Sequence, residues 1–220
     1  MLIVILGPPG AGKGTHAKEL EKILGIPHIS TGALLRLEVA SRTELGRKIE
    51  KVIAAGELVS DDIMADYVEK ILRANPKGVI LDGYPRNINQ AKKLDELSKK
   101  LNRKLDYVIN CDIEDEVIIE RLKNRLVCPT CGRIYNLVSL PPKRDKLCDY
   151  DGTELVHRDD DNEDVVRHRL NIYRKNNLEL LNYYRNRPEF LTVSTDGEID
   201  TVSNRILERI NWSGISQEER

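Results

Sequence analysis

Residues 7–15, Gly7-Pro8-Pro9-Gly10-Ala11-Gly12-Lys13-Gly14-Thr15, constrain this chain more than any other segment. They follow a short apolar run, residues 2–6, and open a stretch whose apolar positions recur at helical spacing over residues 13–24. Strand, glycine-rich turn, helix is the setting in which Gly-x4-Gly-Lys forms a phosphate-binding loop, here with Gly14 inserted before Thr15. Glycines let successive backbone N–H groups converge on phosphate oxygens, and the helix N-terminus adds partial positive charge. Lys13 is placed to reach the β- and γ-phosphates, and Thr15 offers the hydroxyl nearest a bound Mg2+. The bland alternative is an ordinary glycine-rich turn, and the lysine between strand and helix argues against it.

Past this loop the pattern keeps alternating. Strands are expected at 26–30, 78–81, 107–111 and 190–194, and helices at 32–40, 43–55, 60–73, 88–100, 116–125, 163–185 and 201–210. Ser60 is expected to cap its helix, with Asp61 and Asp62 in the first turn to suit the helix dipole. Short apolar strands between helices predict an α/β fold: a P-loop three-layer core with a parallel sheet covered on both faces. Ligands of such sheets gather at the carboxyl ends of the strands. Residues 214–220 read as a frayed polar tail.

The 220 residues carry 35 Lys and Arg against 36 Asp and Glu, a net charge of −1. That balance gives no reason to expect a nucleic-acid or membrane partner. No stretch approaches the roughly 18 apolar residues of a membrane span. The N-terminus lacks the basic region and cleavage site of a signal peptide, so a cytoplasmic location is expected.

Periodicity fails over residues 126–157. Two x2-spaced knuckles, Cys128-Pro129-Thr130-Cys131 and Cys148-Asp149-Tyr150-Asp151, flank a loop containing Pro141-Pro142. Three cysteines in one short segment of a cytoplasmic chain favour metal over disulfide. The spacing fits one tetrahedral Zn2+ on Cys128, Cys131, Cys148 and Asp151, with Asp149 the competing fourth ligand and iron a competing metal. No position is left open, so the metal is expected to be structural. Cys111 falls in a strand and reads as a buried apolar residue. The histidines, His16, His28, His157 and His168, show no ligand spacing and are expected to be structural or solvated.

Several further segments narrow the reading. Gly-x-Pro-Gly-x-Gly-Lys-Gly-Thr resembles the phosphate loop of nucleoside monophosphate kinases. Ser30-Thr31-Gly32-Ala33-Leu34-Leu35-Arg36, Gly56-Glu57-Leu58-Val59, Asp82-Gly83-Tyr84-Pro85-Arg86 and Gln90 follow in the order found in adenylate kinases, and so do Arg121 and Arg125 before the knuckles and Arg158 and Arg169 after them. The resemblance spans about residues 2–197. Ala33 stands where that family often has Asp, Leu126 where an Arg is common, and Tyr84 where Phe is common.

The resemblance implies transfer of a phosphoryl group from ATP to AMP with Mg2+, giving two ADP. It implies a core of residues 1–29, 60–123 and 162–220, an AMP-binding helical insert at 30–59 and a zinc lid at 124–161. AMP would meet Thr31, Arg36, Glu57, Leu58, Val59, Gly83, Tyr84, Pro85, Arg86 and Gln90, with Arg158 and Arg169 reaching in. Gly10, Ala11, Gly12, Lys13, Gly14, Thr15, Arg125, Ile134, Tyr135, Gly197 and Ile199 would hold ATP. Lys13, Arg86, Arg121, Arg158 and Arg169 would serve the transfer, and Thr15 and Asp82 would hold Mg2+ through water. A monomer is expected. Independently of the resemblance, phosphoryl transfer gathers negative charge on equatorial oxygens, and forked, permanently charged Arg suits that task. Arg121 and Arg125, four apart, are expected to share a helix face. The competing readings are a UMP/CMP or GMP kinase and, from another class, a zinc-containing nucleic-acid-binding P-loop regulator.

Overall fold

A computed structural model of the chain describes residues 1–210; the expected frayed tail at 214–220 lies outside the described residues. The elements follow in order β1 (Leu2–Leu6), α1 (Lys13–Leu24), β2 (His28–Ser30), α2 (Thr31–Ala40), α3 (Glu44–Ala54), α4 (Asp61–Ala74), β3 (Val79–Asp82), α5 (Ile88–Lys100), β4 (Tyr107–Asp112), α6 (Asp115–Lys123), β5 (Arg125–Val127), β6 (Ile134–Asn136), α7 (Glu163–Tyr184), β7 (Phe190–Ser194) and α8 (Ile199–Arg209). Five strands form a sheet in the order β2-β3-β1-β4-β7, every pair parallel. No helix among the described residues is long and apolar enough to cross a membrane.

The sheet explains why β1 is apolar throughout. Side chains of a strand alternate between faces, and here both faces are covered. Leu2, Val4 and Leu6 pack with Val68, Leu72, Leu94 and Tyr184 on one side. Ile3 and Ile5 pack with Ala17, Leu20, Val202 and Ile206 on the other. Each large apolar side chain buried this way contributes about 1.5–3 kcal/mol. The central strand therefore fixes the three layers and brings the ends of β1, β2 and β3 level, with Ile5 and Ser30 both in register with Asp82.

Two expectations at element ends are corrected. The helix expected over 116–125 stops at Lys123, and Arg125 belongs to β5, paired with Asn136. The chain turns there because Leu126 enters a separate small core with Tyr135 and Leu155, opposite Tyr135 in the antiparallel pair. Ser60 occupies the cap position of α4 without a side-chain capping bond.

His16 is structural and not solvated. It lies buried between α1 and α8, with Nδ1 3.1 Å from Ser203 Oγ. Burial, helped by the charge of Arg121, pushes its pKa down from 6.5 to about 4. The unfolded chain thus takes up a proton near pH 6.5 that the folded chain refuses until about pH 4, so this contribution to stability is present above pH 6.5 and lost as pH falls through that window. At pH 5 the loss reaches about 2 kcal/mol. Chemical denaturation at pH 7.5 and pH 5.0 should show wild type losing about that much more than His16→Asn. Equal losses in the two proteins would mean that His16 is not buried in its neutral form.

Candidate active site

The loop between β1 and α1 is shaped by what surrounds it. Gly7 has φ +141°, and a Cβ there would come within 2.7 Å of the Cys111 carbonyl oxygen, so only glycine lets the loop lie against β4. Buried Cys111 is the wall behind it, in keeping with an apolar role. The inserted Gly14 lies close to the next site residue: a Cβ there would meet Asp82 Oδ2 at 3.3 Å, a tight contact. Lys13 Nζ donates to the carbonyl oxygens of Gly7 and Pro8 at 2.9 and 2.7 Å. Burial pushes its pKa down to about 8, opposed by the nearby Asp82 carboxylate. Thr15 sits in the first turn of α1.

Asp82 closes the end of β3. Burial alone would raise its pKa, but His28 Nε2, 3.3 Å from Oδ2, and the charge of Lys13 hold it below the usual carboxylate range. Buried, anionic and close to Gly14 of the phosphate loop, this oxygen pair fits a hard divalent cation. Thr31 is fully buried and its hydroxyl donates to the Asp82 carbonyl at 3.1 Å.

Five guanidinium groups converge beyond the loop from separate parts of the chain. Arg36 comes from α2, Arg86 from the turn after β3, Arg125 from β5, Arg158 from just before the 159–161 turn, and Arg169 from α7. Arg86 Nε donates to the Gly83 carbonyl at 2.7 Å. Arg169 donates to both the carbonyl and Oδ2 of Asp160 at 2.9 Å, Arg36 lies 3.8 Å from the same Oδ2, and Arg125 forks onto Asp161. Burial, with Arg169 second, lowers Arg86 to about 10, and burial, with Arg125 and Arg36 next, lowers Arg158 to about 9. Guanidinium remains protonated at neutral pH at either value. The depression comes first from burial and then from neighbouring guanidinium charge, with Asp82, Asp160 and Asp161 acting in the opposite direction.

A cavity opens beside this cluster, lined by Leu35, Ile53, Val59, Met64 and Gln90, with Arg36, Arg86 and Arg169 at its edge. A second cavity continues past Lys13 and Pro9 toward Tyr173 and Asn177 of α7. Gln90 is 1% exposed. Its Oε1 accepts from the Arg86 backbone N–H and its Nε2 donates to Asp61 Oδ1, each at 2.8 Å. Tyr84 is also buried, and the hydroxyl that sets it apart from Phe donates to the Gln90 carbonyl at 3.0 Å.

The chain belongs to the adenylate kinase family. Its sequence matches the model of that family, "Adenylate kinase", over residues 5–189. An adenylate kinase of Thermosipho melanesiensis is 49% identical over 209 residues, covering 94% of this chain and 98% of that one. Those of Petrotoga mobilis and Thermotoga maritima are 44% and 45% identical, covering 94% and 96% of this chain and 96% and 97% of theirs.

For an adenylate kinase, several expected residues stand differently from their sequence reading. Arg121 and Arg125 do not share a helix face: Arg121 donates to the Thr195 carbonyl at 2.9 Å, while Arg125 joins the guanidinium cluster. The Tyr135 side chain is buried inside the small unit after α6, its hydroxyl accepting from the Asp149 N–H at 2.8 Å. Ile134 lies beside it in β6, and Gly197 and Ile199 stand where the chain enters α8. Glu57 pairs with His168 at 2.7 Å, tying residues 57–59 to α7. His28 was not distinguishable from a solvated histidine by spacing; the strand register, which puts β2 beside Asp82, is what gives it a part in the site.

The knuckles form one cluster. Gly132 and Gly152, at φ +69° and +72°, close equivalent turns by donating to the Cys128 and Cys148 carbonyls, both at 2.9 Å. The ligand atoms of Cys128, Cys131, Cys148 and Asp151 all lie within 4.8 Å of one another. Asp149 Oδ1 instead accepts from the Lys143 N–H at 2.8 Å, which takes it away from the thiols. The Thr153 backbone N–H holds the Asp151 carboxyl well below its ordinary range, leaving it an anion beside three sulfurs. Soft thiolates with one carboxylate fit a tetrahedral metal site of zinc type.

Proposed function

We propose that this chain transfers the terminal phosphoryl group of ATP reversibly to AMP, giving two ADP. The observation that carries this reading is the position of the guanidinium cluster, between the phosphate loop and the cavity lined by Gln90. ATP phosphates would lie in the loop at Gly10, Ala11, Gly12, Lys13, Gly14 and Thr15, with Lys13 exchanging the Gly7 and Pro8 carbonyls for phosphate oxygens. The ATP base would lie near the backbone of Gly197 and Ile199, with Arg125 and the backbones of Ile134 and Tyr135 closing over the nucleotide. AMP would occupy the cavity. Its base would face Gln90 and residues 57–59, its phosphate Arg36 and Arg86, and Thr31, Gly83, Tyr84 and Pro85 would form the rest of the wall.

Transfer between two phosphates needs position and charge more than a base, because the acceptor is already an anion. Arg86, Arg121, Arg158 and Arg169 with Lys13 would surround the moving group, each guanidinium offering a fork of donors to equatorial oxygens. Thr15 and Asp82 would hold, through water, the Mg2+ that accompanies ATP and offsets its phosphate charge. Cys128, Cys131, Cys148 and Asp151 would hold a structural Zn2+ in place of the core that residues 124–161 are too few to build. This unit acts as a lid and residues 30–59 as the AMP insert, closing on residues 1–29, 60–123 and 162–220 to exclude water from the transfer. The enzyme would be a cytoplasmic monomer with ATP, AMP and ADP as its partners, and the near-neutral net charge argues against a nucleic-acid or membrane partner.

A coupled assay with ATP and each of AMP, GMP, UMP and CMP should give AMP the highest kcat/KM, and Lys13→Met should lower turnover with AMP more than about a hundredfold. Preference for UMP, CMP or GMP would replace the acceptor and keep the kinase; near-normal turnover in folded Lys13→Met would remove Lys13 from the reaction.

Elemental analysis of protein purified without chelator should find close to one zinc per chain. Cys128→Ser and Cys148→Ser should lose it, with a lower melting temperature and retained turnover at low temperature. Metal-free wild type of full thermal stability would refute the structural metal.

A further inference from the structure

Gln90 is a symmetric reader until something fixes its amide, because oxygen and nitrogen exchange places on a half-turn of the terminal torsion. Two contacts fix it here. The Arg86 backbone N–H can only donate, so Oε1 must face it; the Asp61 carboxylate can only accept, so Nε2 must face it. An amide has two N–H donors and two acceptor lone pairs. One of each is consumed, which leaves one N–H and one lone pair for a ligand in the cavity.

Asp61 is itself held. Its Oδ1 also accepts from Asn87 Nδ2 at 2.9 Å, and Asn87 Oδ1 accepts from the Gln90 backbone N–H at 2.8 Å as the cap of α5. The carboxylate thus links the first turn of α4 to the first turn of α5. Turning the Gln90 amide over would set oxygen against the Asp61 carboxylate and N–H against the Arg86 N–H, both in a buried place.

We propose that Asp61 is a specificity-determining residue for the acceptor: by fixing the Gln90 amide it selects a purine with an amino group at position 6 over one with an oxygen there. This rests on the reading of the cavity as the AMP site. A 6-amino group donates and needs the free lone pair of Oε1; its neighbouring ring nitrogen accepts and takes the free N–H. A 6-oxo purine reverses the demand at position 6, and the locked amide then meets oxygen with oxygen. Asp61 acts through Gln90 and does not itself touch the base, so it is a positioning residue.

The test compares AMP with IMP, which differ in this group and its associated ring proton. In Asp61→Asn the new amide can rotate to offer N–H, releasing one of the two locks. Its AMP-to-IMP ratio of kcat/KM should fall about ten- to a hundredfold from wild type, the range of a hydrogen bond to a charged group. The change should lie in the KM values, with kcat for AMP nearly kept. Asp61→Ser, a residue at home in the first turn of a helix, should show the same direction and serves if the Asn variant does not fold. Asp62→Asn removes a neighbouring charge that pairs with Lys93 and does not touch Gln90, and it should leave the ratio at the wild-type value. A wild-type ratio in both Asp61 variants, with AMP still the preferred substrate, would overturn the proposal alone. Wild type that does not prefer AMP to IMP would overturn the acceptor assignment on which it rests.

Discussion

Like charge crowded into a partly dry space is the constraint on which this architecture turns. Arg36, Arg86, Arg125, Arg158 and Arg169 face Asp160, Asp161 and Asp82, and burial lowers the pKa of Arg86 and Arg158. Such a cluster is unfavourable by itself, because like charges are set near one another with part of their hydration lost. It is acceptable only where an anion is due to enter. Two nucleotides bring that anion, so the tension in the free protein and the affinity for phosphate have the same origin.

The parallel sheet makes the gathering possible. Its strands end level, so the phosphate loop after β1, Thr31 after β2 and the Asp82 turn after β3 open onto one edge. The cluster then draws on segments far apart in sequence: Arg36 on α2, Arg169 on α7, and Arg125 and Arg158 at either end of the small knuckled unit. Asp160 lies between Arg169 and Arg36 and Asp161 against Arg125, so the carboxylates space the guanidiniums rather than neutralise them.

Much of this was legible in the sequence because it is local. The phosphate loop, the buried parallel strands and the paired knuckles each depend on neighbouring residues and a short period. Contacts made between distant segments were not. His28 shows no spacing signal, yet the β2–β3 register sets it against Asp82. Arg121 and Arg125 looked like one helix face until the demand of Leu126 for a core ended α6 at Lys123. No feature of the sequence indicates that the Tyr135 ring lies inside the small unit, which has few apolar residues of its own to fill its interior. Asp149 and Asp151 were separable only once the second knuckle had turned and the Lys143 N–H had claimed Asp149.

The central claim, that the guanidinium cluster is strained until phosphate enters, is tested most directly by calorimetric melting of Arg158→Ala beside wild type, without nucleotide and with ATP plus AMP and Mg2+. Without nucleotide the variant should melt within about 3 °C of wild type or above it, since it loses an uncompensated charge. With nucleotides it should lose most of the stabilisation that wild type gains by mass action. A variant that melts far below wild type without nucleotide, yet is stabilised by nucleotides as fully as wild type, would contradict the account.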